Sequence, residues 1–246
     1  MRTGSGWGEN VTATPGWSRV RSAAAEAVRD PWVWAPLLGA AGMQIDGWDR
    51  RVSTWARRET PLFGSQSHAA NWSDSLRSAA VVADVATALC APSGADGSQW
   101  LTNKIRGYAV DFAAASAAIG TTGLLKKAAG RTRPSGADTQ SFPSGHVATA
   151  TTYDRLAARN LEAFDMPVYS RRLLDYGLNA VTFGTAWARI EAGAHYPSDT
   201  LFSIALGNFS ANFFKNAFMG DARGRRHEVT VVPAPGGYML QWRLAL

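Results

Sequence analysis

The chain has 246 residues, 46% of them hydrophobic, enough to bury one large core, so a single domain over 1–246 is expected. Its 25 Lys and Arg against 19 Asp and Glu give a formal charge of +6, which favours anionic partners. The charges are dispersed and no nucleic-acid motif is present, which excludes a nucleic-acid partner, and the lone Cys90 excludes an intramolecular disulfide.

Residues 1–13 read as a loose tail. Thr14-Pro15 supplies a cap and a first-turn proline for an alanine-rich helix over Trp17 to Arg29. Asp30-Pro31 restarts the chain, and Trp32 to Ile45 is apolar on nearly every side, as in a core helix. A third helix over Asp49 to Arg58 sets Val52, Trp55 and Ala56 on one face. The polar stretch 61–73 reads as a loop, followed by a helix over Asp74 to Ala91 and a turn over Pro92 to Gly97. Cys90, inside that apolar helix, reads as a small buried hydrophobe.

Ser98 suits the cap of a long helix that Gly130 stops after Ala129. Ser144 opens a helix to about Asn160, and Ser170 to Ile190 and Ser198 to Phe218 are helical by period, with Ser198 as the last cap. Alternating valines from Glu228 and the Gly236-Gly237 pair signal a β-hairpin over about 227–244. The expected fold is an all-α helical bundle with this small C-terminal hairpin.

The uncharged apolar runs, Pro31–Ile45, Val85–Ala95, Phe112–Leu125 and Thr200–Phe214, each fall short of the ~18–20 residues that span a bilayer. An integral multi-span membrane protein is therefore not expected. Met1 to Glu9 lacks the apolar core of a secretory signal. Two locations stay open: the cytoplasm, or the periplasm or envelope surface if a leader has been removed. Trp7, Trp17, Trp32, Trp34, Trp48 and Trp55 crowd the first quarter, where core packing is favoured over anchoring at a lipid interface. The basic run Arg223 to His227 reads as a solvated face, with anionic headgroups as its alternative contact.

Three clusters carry the chemistry. Lys126 and Arg133-Pro134 supply two cations; surface charge alone would account for them, as it would for their neighbours Lys127 and Arg131. Pro143-Ser144-Gly145-His146 sets backbone N–H groups at a helix start, a seat for an anion, with a histidine in the first turn suited to general acid work. Arg189, His195 and Asp199 add a third cation and an imidazole that a carboxylate can orient, leaving the other ring nitrogen to attack. Each cluster alone has a structural explanation; together they supply complementary parts of an oxyanion grip with an attacking imidazole.

These residues resemble the signature of the type 2 phosphatidic acid phosphatase superfamily, which includes class A acid phosphatases and vanadium-dependent haloperoxidases. The pattern Lys-x6-Arg-Pro, Pro-Ser-Gly-His and Ser-Arg-x5-His-x3-Asp is met at Lys126, Arg133-Pro134, 143–146, Arg189, His195 and Asp199, with Ala188 in place of the serine. The resemblance covers about 98–218 and implies a helical bundle of that kind. It implies His195 as nucleophile, Asp199 as its orienting partner and His146 as general acid. Lys126, Arg133, Ser144, Gly145 and Arg189 would bind the phosphate, with no metal and no cofactor. The implied reaction is hydrolysis of phosphate monoesters or diphosphates, lipid phosphates among them, through a phosphohistidine. A vanadate-dependent haloperoxidase and a non-catalytic phosphate-binding envelope protein are the alternatives. The implied partner is a phosphorylated small molecule or lipid, with peripheral membrane contact left open; oligomeric state is not legible.

Overall fold

A computed structural model describes residues 6–94 and 96–220, and the backbone of 228–234 and 237–243. Eight helices make up the described bundle: α1 (Trp17–Arg29), α2 (Pro31–Gly42), α3 (Trp48–Glu59), α4 (Gln66–Cys90), α5 (Gly97–Ala129), α6 (Gly145–Asn160), α7 (Val168–Glu191) and α8 (Pro197–Phe214). Strands β1 (Glu228–Ala234) and β2 (Gly237–Arg243) pair antiparallel, with Val231 opposite Leu240. The basic run at 223–227 lies outside the described residues.

Helix boundaries follow local chemistry. Asp30 caps α2 by accepting from Trp32 N–H, and Gly130, at φ 52° and ψ 30°, ends α5 in the left-handed region that favours glycine. Several starts differ from expectation: Gly16 rather than Thr14 precedes α1, with no side-chain cap, and α7 opens at Val168 behind Pro167 rather than at Ser170. Ser65 caps α4 through His68 N–H, so most of the polar stretch read as a loop is helical. Asp96, rather than Ser98, caps α5. At the head of α8 the Asp199 carboxylate accepts Tyr196 N–H at 2.9 Å, while Ser198, the expected cap, bonds Asp49 instead.

The core is built from small side chains. Ala114, Ala118, Ala148, Ala150, Ala157, Ala188, Ala205 and Ala211 are buried, and few larger apolar groups such as Val147, Leu156 and Ile204 join them. Small residues let backbones approach closely. A Cβ on Gly207 of α8 would stand 2.7 Å from Thr151 Cβ and 2.9 Å from Ala148 O of α6. α8 runs through the middle, packed on α1, α2, α5, α6 and α7.

This packing overturns three expectations about burial. Of the six N-terminal tryptophans only Trp7 is buried; Trp17, Trp32, Trp34, Trp48 and Trp55 are exposed. Cys90 is exposed as well. α2 turns one side to α8 and leaves Trp34, Leu37 and Leu38 outside, so a helix apolar all round is not enclosed all round. α5, moreover, is the one described helix long and apolar enough to cross a membrane, because it continues well beyond the uncharged run Phe112–Leu125.

Trp7 plugs the end of the bundle away from the heads of α6 and α8. Its indole donates to Asn160 Oδ1 at 2.8 Å, where Lys215 Nζ also donates, and Lys215 pairs with buried Asp111 at 2.7 Å. Burial and the nearby Asp111 push the Asp84 carboxyl up to about 8.

Candidate active site

The heads of α6 and α8 and the ends of α5 and α7 converge, and the chain between α5 and α6 ties them together. Ser135 N–H donates to Gly193 O at 3.0 Å, and Ser141 N–H donates to Arg131 O at 2.8 Å. Lys126 Nζ donates to Gln140 O. The short linker 135–142 is thus the scaffold that joins the three motif clusters.

His195 sits at its centre, 2% exposed. Its Nδ1 donates to Ser141 O at 2.5 Å, which fixes the proton there and leaves the Nε2 lone pair free. Asp199 Oδ2 is 3.9 Å from the same nitrogen, beyond a hydrogen bond. The group directly orienting the ring is therefore a backbone carbonyl. Asp199 acts one step further out, accepting from Ser141 Oγ at 2.5 Å and from Tyr196 N–H. Burial lowers the His195 pKa well below its usual value, and the cations Arg189 and Lys126 lower it further, so the ring is neutral at neutral pH.

Asp199 belongs to a buried ionic network that the sequence reading missed. Arg131 bridges Asp199 Oδ1 and Asp49 Oδ2, each at 2.6 Å, and its guanidinium lies 4.1 Å from the centre of the Tyr196 ring. Asp49, on α3, also accepts from Ser198 N–H and Oγ. Burial raises the Asp199 pKa against the opposing pull of Ser141 and Arg131. Along the chain Arg131 is one more cation between Lys126 and Arg133, and Asp49 stands some 80 positions away; only the fold joins them.

All three expected phosphate cations lie within electrostatic range of His195. Lys126 has its pKa pulled down to about 8, first by burial and then by Arg133. Arg133 Nε donates to Asp138 Oδ1 at 2.6 Å. Arg189 is pulled down to about 10 by burial and Arg133; its Nη1 donates to Ser73 Oγ at 3.3 Å, and its Nε has no hydrogen-bond acceptor among the described residues. Arg189, half-buried, thus keeps an unused donor beside two further cations, a set whose chemistry suits an oxyanion. Ser144 is fully buried, its hydroxyl accepting Val147 N–H at 3.5 Å as the α6 cap, and the backbone N–H groups of Gly145 and His146 open the first turn that follows.

His146 lies in that first turn. Its Nε2 is 2.7 Å from Asp74 Oδ1, a partner from α4 with no signal in the sequence. Burial and Arg189 lower the His146 pKa, while Asp74 raises it. Asp74→Asn removes the raising influence, so the pH above which His146 has lost its proton moves down. The alkaline limb of a kcat profile is expected to shift to lower pH in this variant; an unmoved limb would disconnect Asp74 from the titrating acid.

A groove of about 630 Å³ opens from His146 between α4 and α5, walled by Val81, Val82, Ile119 and Tyr153, with Arg77 also on its lining. Val82 and Ile119 are exposed on its rim. No group of three His, Cys, Asp or Glu side chains that could ligate a metal gathers among the described residues.

Residues 108–221, which carry all three motif clusters, match the PAP2 superfamily. No curated protein matches the chain. Among solved structures, that of a transmembrane PAP2-type phosphatidylglycerolphosphate phosphatase from Bacillus subtilis is similar over 75% of this chain and 92% of that one, at 18% identity and a TM-score of 0.44. The family match supports a phosphatase of the PAP2 type.

Proposed function

We propose that the protein is a metal-independent phosphatase acting on phosphate monoesters or diphosphates with an apolar leaving group, lipid phosphates among them, through a phosphohistidine on His195. The observation that carries this reading is a buried, neutral imidazole with its Nδ1 proton committed to Ser141 O, beside three cations. Lys126, Arg133 and Arg189, with the N–H groups of Gly145 and His146, hold the phosphoryl oxygens and stabilise their charge during transfer. His195 Nε2 forms a bond to phosphorus as the ester P–O bond breaks, and His146 gives its proton to the departing oxygen. A water then attacks phosphorus, its proton passes to His146, and the P–N bond breaks to release inorganic phosphate and neutral His195.

His146 heads the groove, so the leaving group extends along Val81, Val82 and Ile119. Membrane or envelope association fits this reading: Leu62 is exposed, as are Trp72 on α4 beside Asp74 and Leu124 on α5 beside Lys126. The test uses p-nitrophenyl phosphate and phosphatidic acid with excess chelator present. Activity on both is expected to survive the chelator, and its disappearance would remove the metal-free mechanism. Val82→Asp and Ile119→Asp, both at exposed positions, are expected to lower kcat/KM for phosphatidic acid about tenfold through lost apolar contact. Turnover of p-nitrophenyl phosphate should stay within about twofold. Equal losses on both substrates would refute the apolar leaving-group site.

A further inference from the structure

A second cavity, of about 200 Å³, lies between α2, α6, α7 and α8, away from His195 and His146 and with none of the phosphate-binding cations on its wall. Asp154 faces it and is 3% exposed. Thr182 Oγ1 donates to Asp154 Oδ2 at 2.7 Å, but Oδ1 has no hydrogen-bond partner among the described residues. Two more oxygens on the same wall, Thr151 Oγ1 and Asp175 Oδ1, are equally without one. Buried polar atoms are ordinarily satisfied, so three such oxygens lining one cavity mark a place for a donor.

The charges on the wall define that donor. Arg155 is committed elsewhere, its Nε to Asn212 Oδ1 and its Nη2 to Asp30 Oδ2. Burial raises the Asp175 carboxyl and the Arg155 charge opposes it, whereas burial raises Asp154 against the pull of the Thr182 hydrogen bond. Arg172 also lines the cavity but is exposed. Among the described residues the Asp154 carboxylate has no ion-pair partner, which calls for a single positive charge rather than a divalent ion. The rest of the lining includes the rings of Trp32 and Tyr176 with Leu178 and Ile204, suited to the cation face and the carbon body of an organic ligand.

We propose that this cavity is a second ligand site, taking a small molecule with one protonated primary amine whose three N–H groups meet Asp154, Asp175 and Thr151. The site is independent of the phosphatase reading and would stand if that reading fell.

Thermal unfolding of the full chain tests it, with ethylamine hydrochloride against sodium, potassium and calcium chlorides at matched ionic strength. The buffer is held near pH 8, above the value of about 7 to which burial pushes the Asp154 carboxyl. A saturable rise in Tm of roughly 3–6 °C is expected with ethylamine alone. Asp154→Asn, nearly isosteric and free of the buried charge, should abolish the rise, and Thr151→Val should reduce it; circular dichroism checks that both variants are folded. An equal rise with the metal chlorides, no rise with ethylamine, or a rise retained in folded Asp154→Asn would each overturn the proposal.

Discussion

Replacing His195 with alanine is expected to lower kcat on p-nitrophenyl phosphate by about 10⁴-fold or more, the scale of losing a covalent nucleophile. The phosphate grip should outlast the substitution, because Lys126, Arg133 and Arg189 are placed by other contacts: Gln140 O, Asp138 and Ser73. Inorganic phosphate should therefore still raise the Tm of His195→Ala. Rapid quenching of the unaltered enzyme should yield an acid-labile, base-stable phosphoryl group, absent from the variant. A loss below about tenfold would move the nucleophile elsewhere.

The second large effect is expected at Arg131. Removing its guanidinium strands the carboxylates of Asp49 and Asp199, which are 3% and 0% exposed. Breaking a buried pair from one side costs about 3–5 kcal/mol, so Arg131→Met should lose about that much stability to urea. Catalysis should fall too, through position: Asp199 holds the Ser141 hydroxyl, and Ser141 O holds His195 Nδ1. kcat is expected to drop with little change in KM, since Arg131 Nη1 and Nη2 are already occupied by Ser198, Asp199 and Asp49. Adding Asp49→Asn removes one stranded charge and should recover part of the stability, a coupling that a double-mutant cycle reads directly. Strictly additive effects would show that Arg131 and Asp49 do not act as a pair.

These two residues mark how far the site was legible. His195 stood out because a histidine spaced from Arg189 and Asp199 forms a motif along the chain. Arg131 gave no such sign: a cation in a basic stretch has a ready explanation as a solvated residue, and Asp49 lies on α3. The same holds for Asp74, which reaches His146 from α4, and for Ser141, whose contribution to His195 is a carbonyl that every residue type possesses. Backbone acceptors are invisible to motif reading because their chemistry does not depend on the side chain.

The amino-acid sequence by itself determined the helical periodicity, the left-handed stop at Gly130, the cap at Ser144 and the match of the region around the three clusters to the PAP2 superfamily. Those features are local or fixed by spacing, so no long-range contact is needed to see them. Tertiary packing alone decided that Ser141 O rather than Asp199 contacts His195, that five of the six N-terminal tryptophans stay outside, and that three oxygens with no partner among the described residues share one cavity. The physical reason is that burial and hydrogen-bond partners are properties of pairs of elements. A side chain's desolvation, and hence its charge and its need for a partner, is set by residues that stand scores of positions away.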